Sequence, residues 1–173
     1  MKIIFEDIPD SGLQLDVSEE AARIGPLLHG IDAALEGPVT AHLEAMRTDE
    51  GVYLTGHVSA RLRLICSRCV SEYKLLVEPD FSLYYVVGIE TDAEQELHAS
   101  DLEVTMTPVP ELDTDDILVS QIAVELPMKP LCTDKCKGLC VKCGVDRNKE
   151  ECDCVIEEPV DARFAALKGF KPK

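Results

Sequence analysis

The residues of this sequence best suited to chemistry are its eight cysteines. Their spacing is C-x2-C, a gap of 62 residues, and then C-x3-C-x3-C-x2-C-x8-C-x-C, which places them at positions 66, 69, 132, 136, 140, 143, 152 and 154. Cysteines two or three residues apart can direct two thiolates at one metal ion, because the short turn between them brings the sulfur atoms together. In a reducing compartment such crowding favours metal binding over disulfide bonds.

One set of four lies at the end of the cysteine-rich segment, residues 130–154. Cys140-Val-Lys-Cys143 has the spacing of a metal-binding knuckle, and Gly144 follows where the turn must close. Cys152 and Cys154 supply a second pair after a link that is long enough to fold back as a ribbon. Because zinc prefers four thiolates in a tetrahedron, we predict a structural zinc ion at these four cysteines.

The other set is Cys66, Cys69, Cys132 and Cys136. These cysteines meet if the first C-x2-C turn lies beside the start of the cysteine-rich segment, and closing a loop of about 60 residues costs little more than closing a short one. A single ion that draws ligands from a different set of four satisfies the same spacing, so the sequence allows one or two zinc ions. Residues 131–155 hold few large apolar side chains. Metal binding would contribute on the order of 10 kcal/mol to their folding.

A redox-active dithiol at Cys66 and Cys69 is the alternative chemistry. Redox pairs usually lie at a helix N-terminus, where the helix dipole lowers a thiol pKa, whereas this pair lies between two predicted strands. A catalytic zinc would need an open ligand position and usually a nearby histidine. The four histidines all lie outside the cysteine-rich segment, at His29, His42, His57 and His98. We therefore expect a protein that is not an enzyme and takes no small-molecule substrate.

Long strands are the elements that must position the cysteines. Apolar residues or glycine occupy every second position of residues 52–64 and of residues 39–45, with the turn residues Thr48-Asp49-Glu50-Gly51 between them. Strict alternation is typical of half-buried strands, so these segments predict an antiparallel hairpin. A third alternating segment spans residues 73–87 and is interrupted at Pro79. The sequence therefore predicts a three-stranded meander whose second turn is Cys66-Ser67-Arg68-Cys69.

Few helices are expected. Thr114 is placed to cap a helix that ends before Pro127, and Asp115 and Asp116 suit the positive end of the helix dipole. A short amphipathic helix is predicted over residues 159–168, and short strands over residues 3–8 and 102–106. These elements predict an α+β fold with an antiparallel, barrel-like β-sheet, a few helices and a C-terminal cysteine-rich zinc-binding appendage.

The charge of the chain is unevenly distributed. Its formal net charge is -16, but residues 1–128 carry 7 basic and 25 acidic side chains, whereas residues 129–173 carry 10 basic and 8 acidic ones. This change predicts two units, an acidic α+β body over residues 1–128 and a cysteine-rich zinc module with a short C-terminal helix over residues 129–173. A body of such charge is not a clamp for nucleic acid.

A long part of the chain carries acidic side chains and no basic ones, which bears on the kind of partner it could bind. Between residues 75 and 128 there is no Lys or Arg, while thirteen carboxylates occur. A field of one sign attracts a basic partner, although it also serves as a solvated surface. Lysines around the cysteines leave open a zinc-ribbon RNA binder, but no aromatic side chain lies between Tyr85 and Phe164 to stack on a base.

No membrane span is expected. The longest apolar run covers residues 83–89 and contains Gly88, far short of the roughly 20 residues that a membrane helix needs. The first residues lack the long apolar core of a secretory signal. We therefore expect a cytoplasmic protein.

The ordered combination of these motifs resembles the YceD family, the large ribosomal RNA subunit accumulation proteins. The resemblance extends over about residues 1–170 and rests on Cys66-Ser67-Arg68-Cys69, Ile122-Ala123-Val124-Glu125-Leu126-Pro127, Cys136-Lys-Gly-Leu-Cys140-Val-Lys-Cys143-Gly144, Cys152-Asp-Cys154 and Asp161-Ala-Arg-Phe-Ala-Ala-Leu167. It implies a non-enzymatic role in building the large ribosomal subunit, in which 23S rRNA fails to accumulate without the protein. The family's gene commonly neighbours that of a small basic zinc-ribbon protein of the large subunit.

Two departures limit what the resemblance implies. Members often have Gly-x-Asn-x-Asn after the knuckle that corresponds to Cys140–Cys143, whereas Asp146 occupies the first Asn position here. Some relatives lack the C-terminal cysteines, which implies a stabilising rather than a functional role for that zinc.

The expected mechanism combines the resemblance with the charge distribution. The acidic stretch over residues 90–116, which includes Asp113, Asp115 and Asp116, would hold a basic ribosomal protein of the large subunit, with the small zinc-ribbon protein as one candidate. The basic C-terminal elements would contact 23S rRNA or its precursor.

Overall fold

A computed structural model of the chain describes residues 1–28, 33–88 and 104–154. The strands are β1 (Lys2–Ile4), β2 (Leu13–Glu19), β3 (Ala33–Leu35), β4 (Val39–Arg47), β5 (Gly51–Ile65), β6 (Glu72–Val77), β7 (Asp80–Val87), β8 (Val104–Thr107) and β9 (Glu111–Asp113). Within these ranges the helices are α1 (Ala21–Ile24) and α2 (Thr114–Glu125), with 3-10 turns at Phe5–Asp7 and Gly25–Leu27. The predicted α+β class is confirmed, with a mainly antiparallel sheet.

The predicted meander is confirmed, and β5 is its central strand. One edge of β5 pairs with β3 and β4, and the other edge pairs with β6 and β7, all antiparallel. The break at Pro79 separates β6 from β7, and the carbonyl oxygen of Pro79 accepts a hydrogen bond from the Val58 N–H at 3.0 Å. The turn between β4 and β5 is closed by the Thr48 N–H, which donates to the Gly51 carbonyl at 2.8 Å.

The outer strands were harder to predict. Strand β2, absent from the prediction, pairs with all but the end of β4, and Leu13, Leu15 and Val17 alternate with polar residues along it. Strand β8 runs parallel to β7, whereas β1 and β9 form a separate two-stranded sheet. The predicted strand over residues 3–8 is shorter than expected, because the chain enters a 3-10 turn at Phe5.

The expectation of a barrel-like sheet is wrong. Within the described ranges the strand order is β2-β4-β5-β7-β8, and the outermost strands β2 and β8 do not pair with each other. Closure would require these two edges to pair at a consistent tilt and stagger, and they do not meet. The inner face is covered instead by α1, α2 and the N-terminal segment, whose buried side chains Ile3, Ile8, Ile24, Leu118 and Ile122 join one core with the strands.

Helix α2 begins differently from the prediction. Its N-cap is Asp113, whose carboxylate accepts from the Asp115 N–H at 3.0 Å, and not Thr114. Thr114 is fully buried, and its hydroxyl donates to the Met1 carbonyl at 3.0 Å. The side chain of Thr114 therefore fixes the helix start to β1.

Several predictions fall outside the described residues. These are the C-terminal helix over residues 159–168 and most of the acidic stretch, residues 90–103. The division into two units at residue 128 stays a prediction. In the part of the chain that the structure describes, no helix is long and apolar enough to cross a membrane.

Candidate metal centres

The eight cysteines lie in two groups of four. The first group is Cys66, Cys69, Cys132 and Cys136, and the second is Cys140, Cys143, Cys152 and Cys154. Within each group all sulfur atoms lie within 4.8 Å of one another. The structure thus brings together the same two sets of four that the spacing grouped, and each group could hold a metal ion.

The sulfur separations in the first group fit a metal ion better than a disulfide. Sγ of Cys66 lies 3.8 Å from Sγ of Cys136, and Sγ of Cys69 lies 3.6 Å from Sγ of Cys132. Four Zn–S bonds of about 2.3 Å in a tetrahedron place the sulfurs about 3.8 Å apart, whereas a disulfide bond is about 2.05 Å long. All eight cysteines are free thiols.

The first knuckle, which is the turn from Cys66 to Cys69, is positioned by the hairpin of β5 and β6. Cys66 follows the last residue of β5, and Ser71 precedes the first residue of β6. The Cys66 N–H donates to the Ser71 carbonyl at 2.9 Å, and the Val70 N–H donates to the Cys66 carbonyl at 2.9 Å. The two strands thereby hold the turn that carries Cys69.

The second knuckle has the same backbone pattern. The Cys140 N–H donates to the Val145 carbonyl at 2.8 Å, and the Gly144 N–H donates to the Cys140 carbonyl at 2.8 Å. Gly144 has a φ of 75°, the left-handed region that glycine adopts without steric cost. The predicted role of Gly144 in closing the turn is confirmed.

A valine occupies the position of that glycine in the first knuckle. Val70 has a φ of 58° and is the one non-glycine residue with a positive φ in the described ranges. A β-branched residue is strained in this conformation, at a cost of about 1–2 kcal/mol. The sequence carried no signal for this turn closure, because valine is not a turn residue.

The backbone of each knuckle favours one thiolate. Burial opposes ionisation of Cys66, but backbone N–H groups, first that of Cys132, lower the pKa of its thiol to about 6. Backbone N–H groups, first that of Cys143, lower the pKa of the Cys140 thiol to about 6.

One further thiol in each group resists ionisation. Burial and the adjoining thiols raise the pKa of Cys132 to about 12, and the Cys143 thiol together with burial raises the pKa of Cys154 to about 12. Several thiolates so close together repel one another, and a divalent cation bound among them would offset this repulsion.

Three hydrogen bonds join the first knuckle to the cysteine-rich segment. The Ser67 N–H donates to the Pro130 carbonyl at 2.8 Å, and the Leu139 N–H donates to the Arg68 carbonyl at 3.0 Å. The Arg68 guanidinium donates to the Cys136 carbonyl at 3.0 Å. The partner of the Arg68 guanidinium in the structure is thus a main-chain carbonyl that needs a donor.

Asn148 links the two groups and was missed as a site residue. Its side-chain amide donates to Sγ of Cys136 at 3.3 Å and to Oδ1 of Asp146 at 2.7 Å, while its Oδ1 accepts from the Lys137 N–H at 2.8 Å. Asn148 lies in the link between Cys143 and Cys152 of the second group, so it orients a ligand of the first group from within the second. The signal that could have identified it is the last Asn of the Gly-x-Asn-x-Asn pattern.

The sulfur atoms of the first group are less accessible than a redox-active pair must be to reach a disulfide substrate. Cys66 is fully buried, and Cys69 and Cys136 are 5% and 4% exposed. The two described histidines, His42 and His57, lie on the outer face of the sheet, as the alternation predicts for His57. His29 and His98 lie outside the described residues.

The acidic residues at the start of α2 are partly used within the fold. Asp115 accepts from the Arg23 guanidinium at 2.8 Å, and Asp113 lies 3.6 Å from the amino group of Met1. Asp116 is exposed. Of these three carboxylates, Asp116 is the one that forms no salt bridge with another residue in the described part of the chain.

Comparison with known proteins gives the chain a family. The model of the family "Large ribosomal RNA subunit accumulation protein YceD" matches residues 54–171. An uncharacterized protein of Mycobacterium tuberculosis is 30% identical over 152 residues, which cover 88% of this chain and 70% of that protein. The chloroplastic "Large ribosomal RNA subunit accumulation protein YCED homolog 1" of Arabidopsis thaliana is 29% identical over 144 residues, with 70% of this chain and 45% of that protein covered. No solved structure matches the chain.

The family match spans the parts of the molecule that carry chemistry. It begins within β5, includes both groups of cysteines and α2, and extends over more than half of the chain. The chain therefore belongs to the YceD family of large ribosomal RNA subunit accumulation proteins.

Proposed function

We propose that this protein is a non-enzymatic ribosome-biogenesis factor that supports accumulation of 23S rRNA during assembly of the large subunit. The family match over residues 54–171 carries this proposal. A depletion strain tests it directly. Loss of the protein lowers 23S rRNA and the large subunit relative to the small one, and the intact gene restores both. Unchanged ratios of the two subunits would contradict the proposed role.

The two groups of cysteines are proposed to hold two structural zinc ions. Each group presents four sulfurs within 4.8 Å, the donor set and number that structural zinc prefers. Bound zinc would neutralise the thiolates and join segments that share little apolar surface. Elemental analysis of purified, reduced protein tests the metal and its stoichiometry, with two zinc ions per chain expected.

Two observations favour a non-enzymatic role for the cysteines. Cys66, the first cysteine of the proposed redox pair, is fully buried, so a disulfide substrate has no path to its sulfur. Four thiolates per ion also leave no ligand position for a reacting water molecule. Thiol titration of the zinc-loaded protein separates the alternatives, since rapid modification of two thiols would support the thiol–disulfide redox protein.

The partner is proposed to be a basic protein of the large subunit, bound through the acidic stretch. Because Asp115 is committed to Arg23 and Asp113 caps α2, the contact would depend on exposed Asp116 and on the carboxylates of residues 90–103. Attraction of this kind weakens as salt increases.

A pulldown at low salt, divided by RNase treatment, tests the partner. A quadruple variant, E90Q/D92N/E94Q/E96Q, should lose the partner, whereas the control E6Q/D7N/D10N/E50Q, which neutralises four exposed acids elsewhere, should keep it. Partners that persist after RNase support protein binding. Partners that disappear after RNase would support the alternative of a zinc-ribbon RNA binder.

A further inference from the structure

The outer face of the sheet carries a row of four titratable side chains. Asp16 of β2 lies directly opposite His42 of β4, His42 lies opposite His57 of β5, and His57 lies opposite Asp80 of β7. Each of four adjacent strands thus contributes one residue to the same row. The acids occupy the two ends and the imidazoles occupy the middle.

Each imidazole is held by the acid beside it. Nδ1 of His42 lies 2.8 Å from Oδ1 of Asp16, and Nδ1 of His57 lies 2.8 Å from Oδ1 of Asp80. A carboxylate that accepts from Nδ1–H fixes the ring tautomer and leaves the Nε2 lone pair available. Metal-bound histidines in proteins almost always have such a partner on their second nitrogen.

The two rings can reach one ion. Residues directly opposite each other on antiparallel strands have Cβ atoms about 4.5–5.5 Å apart. The groups of three or more donor atoms within 4.8 Å of one another in the described residues are the two cysteine groups, so a ring must turn to bring His42, His57 and Glu44 to one ion. The side chains of His42 and His57 are 49% and 47% exposed, which lets a ring turn without movement of the backbone.

A third donor lies next to the row. Oε1 of Glu44 is 3.6 Å from Nε2 of His42, and the Gln14 amide donates to the same oxygen at 2.8 Å. Glu44 follows His42 by two positions on the same face of β4. A carboxylate is therefore already held beside the free nitrogen of one imidazole.

We propose that His42 and His57, with Glu44, form a surface site for a divalent transition-metal ion of the nickel and zinc class. Nε2 of each histidine and one oxygen of Glu44 would be the ligands, and Asp16 and Asp80 would orient the rings. Imidazole and carboxylate ligands suit these borderline ions, whereas the two thiolate groups favour softer or structural binding. This site has open positions for water, unlike the sulfur groups.

Nickel binding to untagged, reduced, zinc-loaded protein tests the proposal by calorimetry. The wild-type chain should bind one Ni²⁺ per molecule, and His42→Gln or His57→Gln should weaken binding at least tenfold. Asp16→Asn and Asp80→Asn should weaken it by about ten- to a hundredfold, the usual effect of losing an orienting carboxylate. His98→Gln removes an imidazole elsewhere in the chain and should leave binding unchanged.

Thermal unfolding and NMR distinguish loss of the metal ligands from loss of the fold. Thermal unfolding of the histidine variants should match the wild type, because both side chains are on the surface, and NMR signals of the His42 and His57 rings should be the first to broaden as Ni²⁺ is added. No binding by the wild type overturns the site, as does binding that survives His57→Gln. Absorption bands of nickel–thiolate bonds would also overturn it, because the cysteines would then be the ligands.

Discussion

The two groups of cysteines use the same donors for different structural purposes. The first group joins a turn of the sheet to a segment 62 residues further along the chain, and three of its four cysteines are buried. The second group is contained within residues 140–154, and Cys143 is exposed. The comparison teaches that the first group lies where the cysteine-rich segment is joined to the sheet, whereas the second, with the proposed zinc bound, would take the place of a core within that segment.

The knuckles show the same difference at the level of the backbone. Gly144 closes the second turn without strain, and Val70 closes the first turn in a conformation that costs a valine about 1–2 kcal/mol. Strands β5 and β6 impose the first turn through their pairing, so its closing residue need not be glycine. The second turn has no strands to impose it and depends on the glycine.

Removal of the metal should give the largest difference between the cysteine-rich segment and the sheet. Chelation under reducing conditions should unfold residues 130–154, because zinc contributes on the order of 10 kcal/mol to small cysteine-rich folds. The sheet should persist, since its apolar core is independent of the cysteines. Hydrogen exchange by mass spectrometry should show lost amide protection in residues 130–154 and retained protection in β4 and β5. Equal loss in both would contradict the division of roles.

Single cysteine variants should distinguish the fastening group from the local one. Cys66→Ser and Cys143→Ser should each lower the zinc content from two ions to one. Cys66→Ser should also destabilise the body by about 4 kcal/mol, because it opens a closed loop of about 60 residues. Urea unfolding followed at the sheet measures this effect. Equal destabilisation by Cys143→Ser would show that both groups support the body.

Exchanging the closing residues of the knuckles should give effects of opposite sign. Gly144→Val should destabilise the second knuckle by about 2 kcal/mol, because valine is strained at a φ of 75°. Val70→Gly should stabilise the first knuckle by up to about 1 kcal/mol, the relief of strain less the entropy that glycine loses on folding. Competition with a chelator reports both changes as altered zinc affinity. Stabilisation by Gly144→Val would refute the strain argument.

Asn148→Ala should weaken the first group although Asn148 lies within the second. The lost hydrogen bond to Sγ of Cys136 should cost about 1 kcal/mol, or roughly fivefold in zinc affinity. Arg147→Ala is a matched control, because this exposed neighbour makes its hydrogen bond to the Gly138 carbonyl through the backbone. An effect confined to the second group would remove Asn148 as the link between them.

Patterns of short range predicted much of this molecule. Alternation identified β4, β5 and the interrupted strand of β6 and β7, because one buried face imposes a period of two on each. The same reasoning did not predict β2, where Leu13, Leu15 and Val17 form an alternating run shorter than those of β4 and β5. It also predicted a barrel, since alternation says which face is buried and not whether the two edges of a sheet meet.

The spacing of the cysteines predicted the knuckles but not the side chains whose hydrogen bonds support them. Two thiols separated by two residues must turn toward one ion, so the ligand pairs could be inferred from the sequence. Arg68 and Asn148 could not be inferred from spacing. The partner of Arg68 is a carbonyl 68 residues further along the chain, and the signal for Asn148 is the family's Gly-x-Asn-x-Asn pattern.

The sequence by itself determined the central strands β4 to β7, the knuckles, the division of charge and the family, since each depends on residues close together or on their order. Only the tertiary structure decided that the sheet stays open, that Val70 closes a turn in a left-handed conformation, and that His42 and His57 face each other between two acids. Those features depend on strand register and on contacts between distant segments. Alternation and turn geometry set the register of each pair of strands, but the edges that meet and the side chains that form a row across four strands depend on how all the pairs assemble.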